Sequence, residues 1–204
     1  MNNQTICILG LGYVGLPLAV EFSKKYKVIG FDIDHKRIDQ LNQFIDLTAQ
    51  VEIEDLKAAI NHGLLLSSDE QAIKDATIYI VTVPTPIDEN RKPDLRQLLS
   101  ASESIGKSLK KGDYVIYEST TYPGTTDELM LPMFEAGGLK VGEDFFMCFS
   151  PERVDPGNPV WHTKNTPKVL GGVTPACTEV AVALYEATVD HVVPVSSPEA
   201  AELT

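Results

Sequence analysis

Cysteine, histidine and tryptophan are scarce in this sequence of 204 residues, which contains three, four and one of them, respectively. The cysteines, Cys7, Cys148 and Cys177, are odd in number and far apart, which predicts reduced thiols and argues against a disulfide framework. No histidine lies near cysteines or carboxylates at a spacing typical of metal ligands, so the sequence predicts no metal site. Reduced thiols also favour a cytoplasmic location.

Long apolar runs and an excess of basic residues are also missing. No stretch approaches the ~18 apolar residues of a membrane-spanning helix, and the polar N-terminus does not resemble a signal peptide. The 17 basic residues are outnumbered by 29 acidic ones, which gives a net charge of −12. Because such a protein repels phosphate backbones, we expect neither a membrane nor a nucleic acid as its partner.

The sequence does contain a regular alternation of short apolar runs with helical stretches. Strands are predicted over residues 5–9, 27–31, 64–66, 77–83, 114–117, 145–149, 169–172 and 191–195. Helices are predicted over residues 14–25, 35–44, 52–61, 93–109, 125–134 and 175–187, with a further short one over 68–76. The helix over 125–134 is expected to be interrupted or shifted near Pro132. The continuous apolar runs at 6–9 and 78–81 are typical of strands that helices cover on both faces. The pattern predicts an α/β fold, a doubly wound and mainly parallel sheet of the Rossmann type with an appended strand–helix–strand.

The turn after the first predicted strand has the pattern GxGxxG, which alone is weak evidence. Here a strand precedes it and a helix follows, and Asp32 lies 22 residues after Gly10 at the end of the second strand. Gly10 allows a tight turn, Gly12 lets the backbone approach a pyrophosphate, and Gly15 lets the helix pack on the strand. A carboxylate at Asp32 accepts ribose hydroxyls and repels a 2′-phosphate, which predicts NAD rather than NADP. The alternative is a glycine turn without a nucleotide, in which Asp32 caps a loop.

Polar residues also follow the fourth, fifth and sixth strands of the predicted sheet. These residues are Thr85, the pair Glu118 and Ser119, and the pair Glu152 and Arg153. Ligands bind outside the carboxyl ends of the strands in such sheets, so we expect these side chains to share one site. Each has a structural alternative: a rigid turn at Thr85, a buried structural carboxylate at Glu118, or a surface ion pair between Glu152 and Arg153.

Taken together, seven segments resemble the UDP-glucose/GDP-mannose dehydrogenase family of nucleotide-sugar 6-dehydrogenases. They are residues 6–22, 28–34, 81–88, 92–95, 117–126, 149–158 and 193–204, which extend over essentially the whole chain. The YEST–YPG and SPER–PG patterns are most similar to the branch that acts on UDP-N-acetylhexosamines. The resemblance implies that the sugar C6 alcohol is oxidised to a carboxylate with two NAD⁺, through a cysteine thiohemiacetal and a thioester.

The resemblance also implies roles for individual residues. The residues implied to bind NAD are Gly10, Gly12, Tyr13, Val14, Gly15, Asp32 and Arg37, and those implied to line the cofactor crevice are Val83, Thr85 and Ser119. Thr120 and Glu152 are implied to hold a water and assist proton transfer, and Arg153 to face the substrate.

The sequence departs from the family pattern in two respects. Where some relatives have a second carboxylate after the PE, this chain has Asp155-Pro156, so the resemblance implies no role there. The family's Lys–Asn pair lies on the helix that opens at Ser197-Pro198, its catalytic cysteine lies further on, and none of the three cysteines here has that context. We therefore expect an NAD-binding domain over residues 1–196 and the start of a truncated connecting helix over 197–204, inactive alone. The resemblance implies a homodimer for the full-length protein. The oligomeric state of this chain is left open, a monomer being one alternative.

Three other functions remain at this stage. The first is a UDP-glucose or GDP-mannose 6-dehydrogenase of the same family. The second is a β-hydroxyacid-type dehydrogenase domain, against which Asp32 and the SPER motif argue. The third is a stand-alone NAD-binding module without catalysis.

Overall fold

The structure is a computed structural model that describes residues 4–153 and 160–204. Its strands are β1 (Thr5–Leu9), β2 (Lys27–Phe31), β3 (Leu65–Ser67), β4 (Ile78–Val81), β5 (Tyr114–Tyr117), β6 (Phe146–Phe149), β7 (Lys168–Gly172) and β8 (Val192–Pro194). They form one sheet in the order β3-β2-β1-β4-β5-β6-β7-β8. Strands β1 to β6 run parallel, β7 is antiparallel to β6, and β8 is parallel to β7. The predicted doubly wound, mainly parallel sheet is confirmed.

Helices connect and cover these strands. They are α1 (Gly15–Ser23), α2 (His35–Asn42), α3 (Ile53–Asn61), a 3₁₀ segment (Glu70–Asp75), α4 (Arg96–Gly106), a π-helical segment (Thr125–Met130), α5 (Leu131–Glu135), α6 (Pro175–Tyr185) and α7 (Pro198–Glu202). Within residues 4–153 and 160–204, no helix combines the length and the apolarity needed to cross a membrane.

The core consists of two apolar layers, one on each face of the sheet. Successive side chains of a strand point to opposite faces, so Ile6 and Ile8 of β1 pack with Leu16 of α1, whereas Cys7 packs with Leu98 of α4 on the other face. The expectation that both faces are covered, drawn from the uninterrupted apolar runs, is therefore confirmed.

Several element boundaries differ from the predicted ones for local reasons. Strand β4 ends at Val81, and the hydroxyl of the next residue, Thr82, donates to the carbonyls of Leu9 (3.0 Å) and Gly10 (2.8 Å). The interruption predicted near Pro132 in the helix over 125–134 is confirmed, because the helix is divided into the π-helical segment and α5, at whose start Pro132 lies. Since proline has no N–H to donate, the regular helical hydrogen-bond pattern is interrupted there.

Helix α7 packs on the sheet. The Ser197 side chain caps it by accepting a hydrogen bond from the Ala200 N–H (3.2 Å), as its sequence predicts. A Cβ atom on Gly171 of β7 would lie 2.1 Å from the Ser197 carbonyl oxygen, so the backbones approach closely only because this residue is glycine. Ala201 is fully buried in this contact. Helix α7 is thus part of the same packed unit as β7, and a domain boundary at residue 196 stays a prediction.

Candidate functional site

The carboxyl ends of the parallel strands lie side by side, because the hydrogen bonding continues one residue beyond each strand. Each of these residues donates its N–H to the last residue of the neighbouring strand: Gly10 to Phe31 (2.8 Å), Thr82 to Leu9 (2.9 Å), Glu118 to Val81 (2.8 Å) and Ser150 to Tyr117 (2.8 Å). The structure therefore brings the glycine turn and the three polar loops to one edge of the sheet. The strand order reverses between β1 and β4, which is where ligands bind in such sheets.

The glycine turn has the tight geometry that its sequence predicts. Gly10 has a φ of +96°, a conformation that favours glycine. A Cβ atom on Gly15 would lie 1.8 Å from the Gly10 carbonyl oxygen and 2.4 Å from the Thr82 hydroxyl oxygen, so no larger residue fits there. A Cβ atom on Gly12 would meet nothing within 4 Å. The turn is closed on its inner side by Gly15 and Thr82, and open at Gly12.

Asp32 lies against this turn at the end of β2. One of its carboxylate oxygens accepts a hydrogen bond from the Leu11 N–H (2.8 Å), and the other accepts one from the Asp34 N–H (2.9 Å). A carboxylate has about four acceptor positions, so Asp32 can still accept further hydrogen bonds from hydroxyl groups. Asp34 itself caps α2 by accepting a hydrogen bond from the Lys36 N–H (2.9 Å).

Arg37 of α2 spans from the turn to a second carboxylate, Asp46. Its Nε donates to the Leu11 carbonyl (2.9 Å) and its Nη2 donates to Asp46 (2.8 Å). Its Nη1 is buried and has no hydrogen-bond partner among the residues that the structure describes. Burial alone would raise the pKa of Asp46, but hydrogen bonds from Thr48 and Arg37 hold that pKa below its usual value. Sequence reasoning missed Asp46, because nothing in its spacing distinguishes it from other surface acids.

The other predicted site residues of the turn and of the loops after β4 and β5 differ in how far they are exposed. Tyr13 is 57% exposed, and Val14 precedes α1 in a half-buried position. Val83 is half-buried in the loop after β4, and the Thr120 side chain is exposed in the loop after β5. All four lie close in sequence to the carboxyl edge of the sheet.

Two hydroxyl groups in these loops have partners within the protein. The Thr85 hydroxyl donates to the Thr120 carbonyl (2.7 Å), which links the loops after β4 and β5. The Ser119 hydroxyl is buried and donates to the Val81 carbonyl (3.4 Å). Both hydroxyl protons are donated to carbonyls of the protein. Towards a ligand, these hydroxyl oxygens can therefore act only as hydrogen-bond acceptors.

A buried ionic cluster lies beside the Ser119 loop. Glu118 is 2% exposed, and its two oxygens pair with the Lys168 ammonium (2.5 Å) and accept a hydrogen bond from the Tyr185 hydroxyl. Burial raises the pKa of Glu118 to about 6, although the Lys168 charge acts in the opposite direction. Glu118 is thus a buried carboxylate, which was the structural alternative to its being a residue of the site.

Glu152, in the loop after β6, contacts the same cluster. Its carboxylate lies 3.1 Å from the Lys168 ammonium, and it also accepts a hydrogen bond from the Arg153 N–H (2.7 Å). The structure thus pairs Glu152 with Lys168, whereas the structural alternative from the sequence was a surface ion pair with Arg153. Arg153 is exposed beside it. Sequence reasoning missed Lys168, which follows a proline-rich stretch and has no motif of its own.

The three cysteines are all free and buried, which agrees with the prediction of reduced thiols. Burial raises the pKa of Cys7 and of Cys148, so both are neutral thiols at physiological pH. Among the described parts of the chain, no three His, Cys, Asp or Glu side chains are grouped so that they could hold a metal ion.

Comparisons with known proteins agree with this geometry. Residues 4–189 match the model of the NAD binding domain of the UDP-glucose/GDP-mannose dehydrogenase family. The UDP-N-acetyl-D-glucosamine 6-dehydrogenase of Pseudomonas aeruginosa is 50% identical over 186 residues, which are 91% of this chain and 44% of that protein. The UDP-N-acetyl-D-mannosamine dehydrogenase of Escherichia coli is 34% identical over an alignment of 212 positions, gaps included, that covers 100% of this chain and 50% of that protein.

Solved structures give the same result. A UDP-D-ManNAc dehydrogenase from Pyrococcus horikoshii superposes with a TM-score of 0.91 at 32% identity, over 97% of this chain and 48% of the other. A GDP-mannose dehydrogenase from Pseudomonas aeruginosa superposes with a TM-score of 0.87 at 26% identity, over 100% of this chain and 48% of the other. This chain therefore spans about half the length of these relatives.

Proposed function

The chain belongs to the UDP-glucose/GDP-mannose dehydrogenase family, and from this membership we propose that it is the NAD-binding part of an enzyme that oxidises the C6 alcohol of a UDP-N-acetylhexosamine. The substrate class is supported by relatives named as UDP-N-acetyl-D-glucosamine 6-dehydrogenases at 50% and 42% identity. The observation that carries the proposal is the glycine turn, open at Gly12 and bordered by the Asp32 carboxylate.

The residues around the turn fit NAD, the cofactor of this domain family. In the proposal, the backbone of the turn and the N-terminus of α1 hold the pyrophosphate, and Asp32 accepts from the adenosine ribose hydroxyls. The buried Nη1 of Arg37, which lacks a partner within the described residues, is a donor still available to the bound dinucleotide. Val83, Thr85 and Ser119 line the continuation of the crevice. When bound, NAD⁺ supplies the hydride acceptor for the reaction.

The loops after β5 and β6 supply the remaining chemistry in this proposal. Glu152 offers a carboxylate at the carboxyl edge, where it takes up a proton and holds a water together with the exposed Thr120 hydroxyl. The exposed guanidinium of Arg153 suits an anionic substrate such as a nucleotide diphosphate.

The complete reaction needs more than these residues. Two hydride transfers with two NAD⁺ require a thiolate that holds the aldehyde between them. Cys7, Cys148 and Cys177 are all buried, so we infer that this thiolate belongs to a part of the protein outside these 204 residues. A cytoplasmic location and a homodimeric full-length protein belong to the same proposal.

Calorimetric titration of the chain with NAD⁺ and NADP⁺ tests the proposal. We expect NAD⁺ to bind with a Kd of about 10 µM to 1 mM, and NADP⁺ to bind more weakly because Asp32 repels its 2′-phosphate. Asp32→Ala is expected to weaken NAD⁺ binding and to reduce the difference in affinity between NAD⁺ and NADP⁺. Asp39→Ala, which removes an exposed carboxylate from α2, is the matched control and should change neither affinity.

Equal affinity for both cofactors in the parent chain would contradict the role of Asp32. The same samples, mixed with NAD⁺ and UDP-N-acetylglucosamine, are expected to form no NADH by absorbance. NADH formation would show that the nucleophile lies within these 204 residues, contrary to the proposal.

A further inference from the structure

Lys168 reaches the carboxyl edge of the parallel strands because β7 runs in the opposite direction. Strand β7 is antiparallel to β6, and its Gly171 pairs with Phe149, the last residue of β6. Lys168, the first residue of β7, therefore lies past the end of β6, on the side of the loop that follows it. The Lys168 side chain is only 7% exposed, yet it carries an ammonium group. A buried lysine is costly unless its charge is paired and its N–H groups are hydrogen-bonded.

The charge of Lys168 is shared between two carboxylates on different elements. Its ammonium lies 2.5 Å from Glu118 at the end of β5 and 3.1 Å from Glu152 in the loop after β6. Burial would lower the pKa of Lys168, but these two carboxylates raise it above its ordinary value. Lys168 therefore stays a cation at physiological pH.

The side of the cluster away from the site is buried and hydrogen-bonded. The second oxygen of Glu118 accepts a hydrogen bond from the Tyr185 hydroxyl of α6, and the Lys168 ammonium lies 5.7 Å from the centre of the Tyr185 ring. The third titratable neighbour, Cys148 of β6, is buried and neutral. Since Glu118 and Tyr185 are fully packed, the ammonium has one defined position from which to bind Glu152.

We propose that Lys168 is a positioning residue that fixes the Glu152 carboxylate, in its ionised form, at the carboxyl edge of β6, with Glu118 and Tyr185 as its anchor. This inference rests on the proposed function, in which Glu152 accepts the proton of the reaction. An anchored cation keeps that carboxylate ready to take up a proton and limits its rotamers. Glu118 is then part of the anchor, not a group that touches the substrate.

The titration of the Glu152 carboxyl, followed by ¹³C NMR in the 204-residue chain, tests the proposal without turnover. In Lys168→Met, we expect its midpoint to move to higher pH by about one pH unit or more, because an opposite charge within ~4–6 Å has been removed. Lys168→Arg keeps the charge, so its midpoint should lie close to that of the parent chain. Lys164→Met, which removes an exposed lysine four residues earlier, should leave the midpoint unchanged.

Lys168→Met leaves the Glu118 carboxylate buried without its cation and can prevent folding, so two further variants are included. The double variant Glu118→Gln/Lys168→Met removes both charges and should show the same upward shift. In Glu118→Gln alone, Lys168 keeps Glu152 as its charged partner and no longer pairs with Glu118. The midpoint of the Glu152 titration should then move to lower pH. A Glu152 midpoint that is the same in all folded variants would overturn the proposal and leave the cluster a structural one.

The result is independent of the cofactor experiment. If the parent chain fails to bind NAD⁺ in the calorimetric titration, the proposed function is wrong, whereas the NMR shifts still decide whether Lys168 controls Glu152.

Discussion

Gly15 determines how closely the first helix can approach the first strand. An alanine there would place its Cβ 1.8 Å from the Gly10 carbonyl oxygen and 2.4 Å from the Thr82 hydroxyl oxygen, so the turn has to move. For Gly15→Ala we expect a loss of about 1–3 kcal/mol in the free energy of unfolding, typical of overpacking. We also expect at least tenfold weaker NAD⁺ binding. Urea denaturation and calorimetry measure the two effects.

A second glycine provides the control for this prediction. Gly106 ends α4 with an ordinary φ, and a Cβ atom there would lie 3.8 Å from the Phe134 ring. Gly106→Ala should leave NAD⁺ binding unchanged and stabilise the fold by up to about 1 kcal/mol, because alanine favours a helix more than glycine does. If both variants lost stability and affinity equally, the steric account of the turn would be wrong.

Among the elements, α7 and the π-helical segment are joined by one carboxylate, that of Glu202. It accepts hydrogen bonds from the N–H groups of Gly124 (2.7 Å) and Thr126 (2.9 Å), which precede and open the segment. Glu202→Ala should lower the free energy of unfolding by about 1–2 kcal/mol, as for other lost caps. Some of the loss is offset because Asp127 is freed from a like charge. Urea denaturation measures the net effect.

The control for Glu202 is Glu179→Ala, which removes an exposed carboxylate from α6 and should leave stability within about 0.5 kcal/mol of the parent. Hydrogen exchange adds a local measurement. The Gly124 and Thr126 amides should exchange faster in Glu202→Ala, and unchanged exchange there would argue against the cap.

The order and type of most elements follow from local sequence, because apolar runs and caps are local properties. Asp34 and Ser197, residue types that favour N-caps, cap the helices that follow them, and the polar loops meet at one edge because parallel strands end together. The direction of β7 does not follow from local sequence. A short apolar run is compatible with a parallel or an antiparallel strand, and only the pairing of β7 with β6 determines that it is antiparallel. The position of Lys168 at the carboxyl edge depends on that direction, so the sequence alone does not predict it.

The hydroxyl groups of the site show a second limit of the same kind. The sequence places Thr85 and Ser119 in the correct loops, but their partners, the carbonyls of Thr120 and Val81, come from neighbouring loops and strands. The rotamer of a short side chain depends on such neighbours, which no local pattern specifies.

For the molecule as a whole, stability is expected to fall between about pH 4 and 6.5. Burial raises the pKa of Glu118 to about 6, and burial together with Glu199 and Glu202 raises that of Asp127 to about 6. Both groups bind a proton more tightly in the folded chain, so their contribution is complete below the unfolded values of about 4 and is lost as the pH rises through 6. Thermal unfolding at several pH values measures the decline in Tm.

Two measurements separate this effect from general repulsion in a chain of net charge −12. High salt screens the repulsion between exposed charges and should leave the part due to buried Glu118. Asp127→Asn removes one of the two groups and should make the decline less steep. A Tm that stays level or increases over this range at high salt would contradict the assignment.

Because the three thiols are buried, their rates of chemical modification can report on unfolding of the chain. Cys7 lies in the central strand, Cys148 lies in β6, and Cys177 lies in the first turn of α6. An alkylating reagent reaches each sulfur only when the surrounding element separates from the sheet, so the three modification rates would map local against global unfolding without any added label. Conversely, a single cysteine introduced on the surface would be the one reactive thiol of the native chain, suited to attaching a fluorophore beside the cofactor crevice.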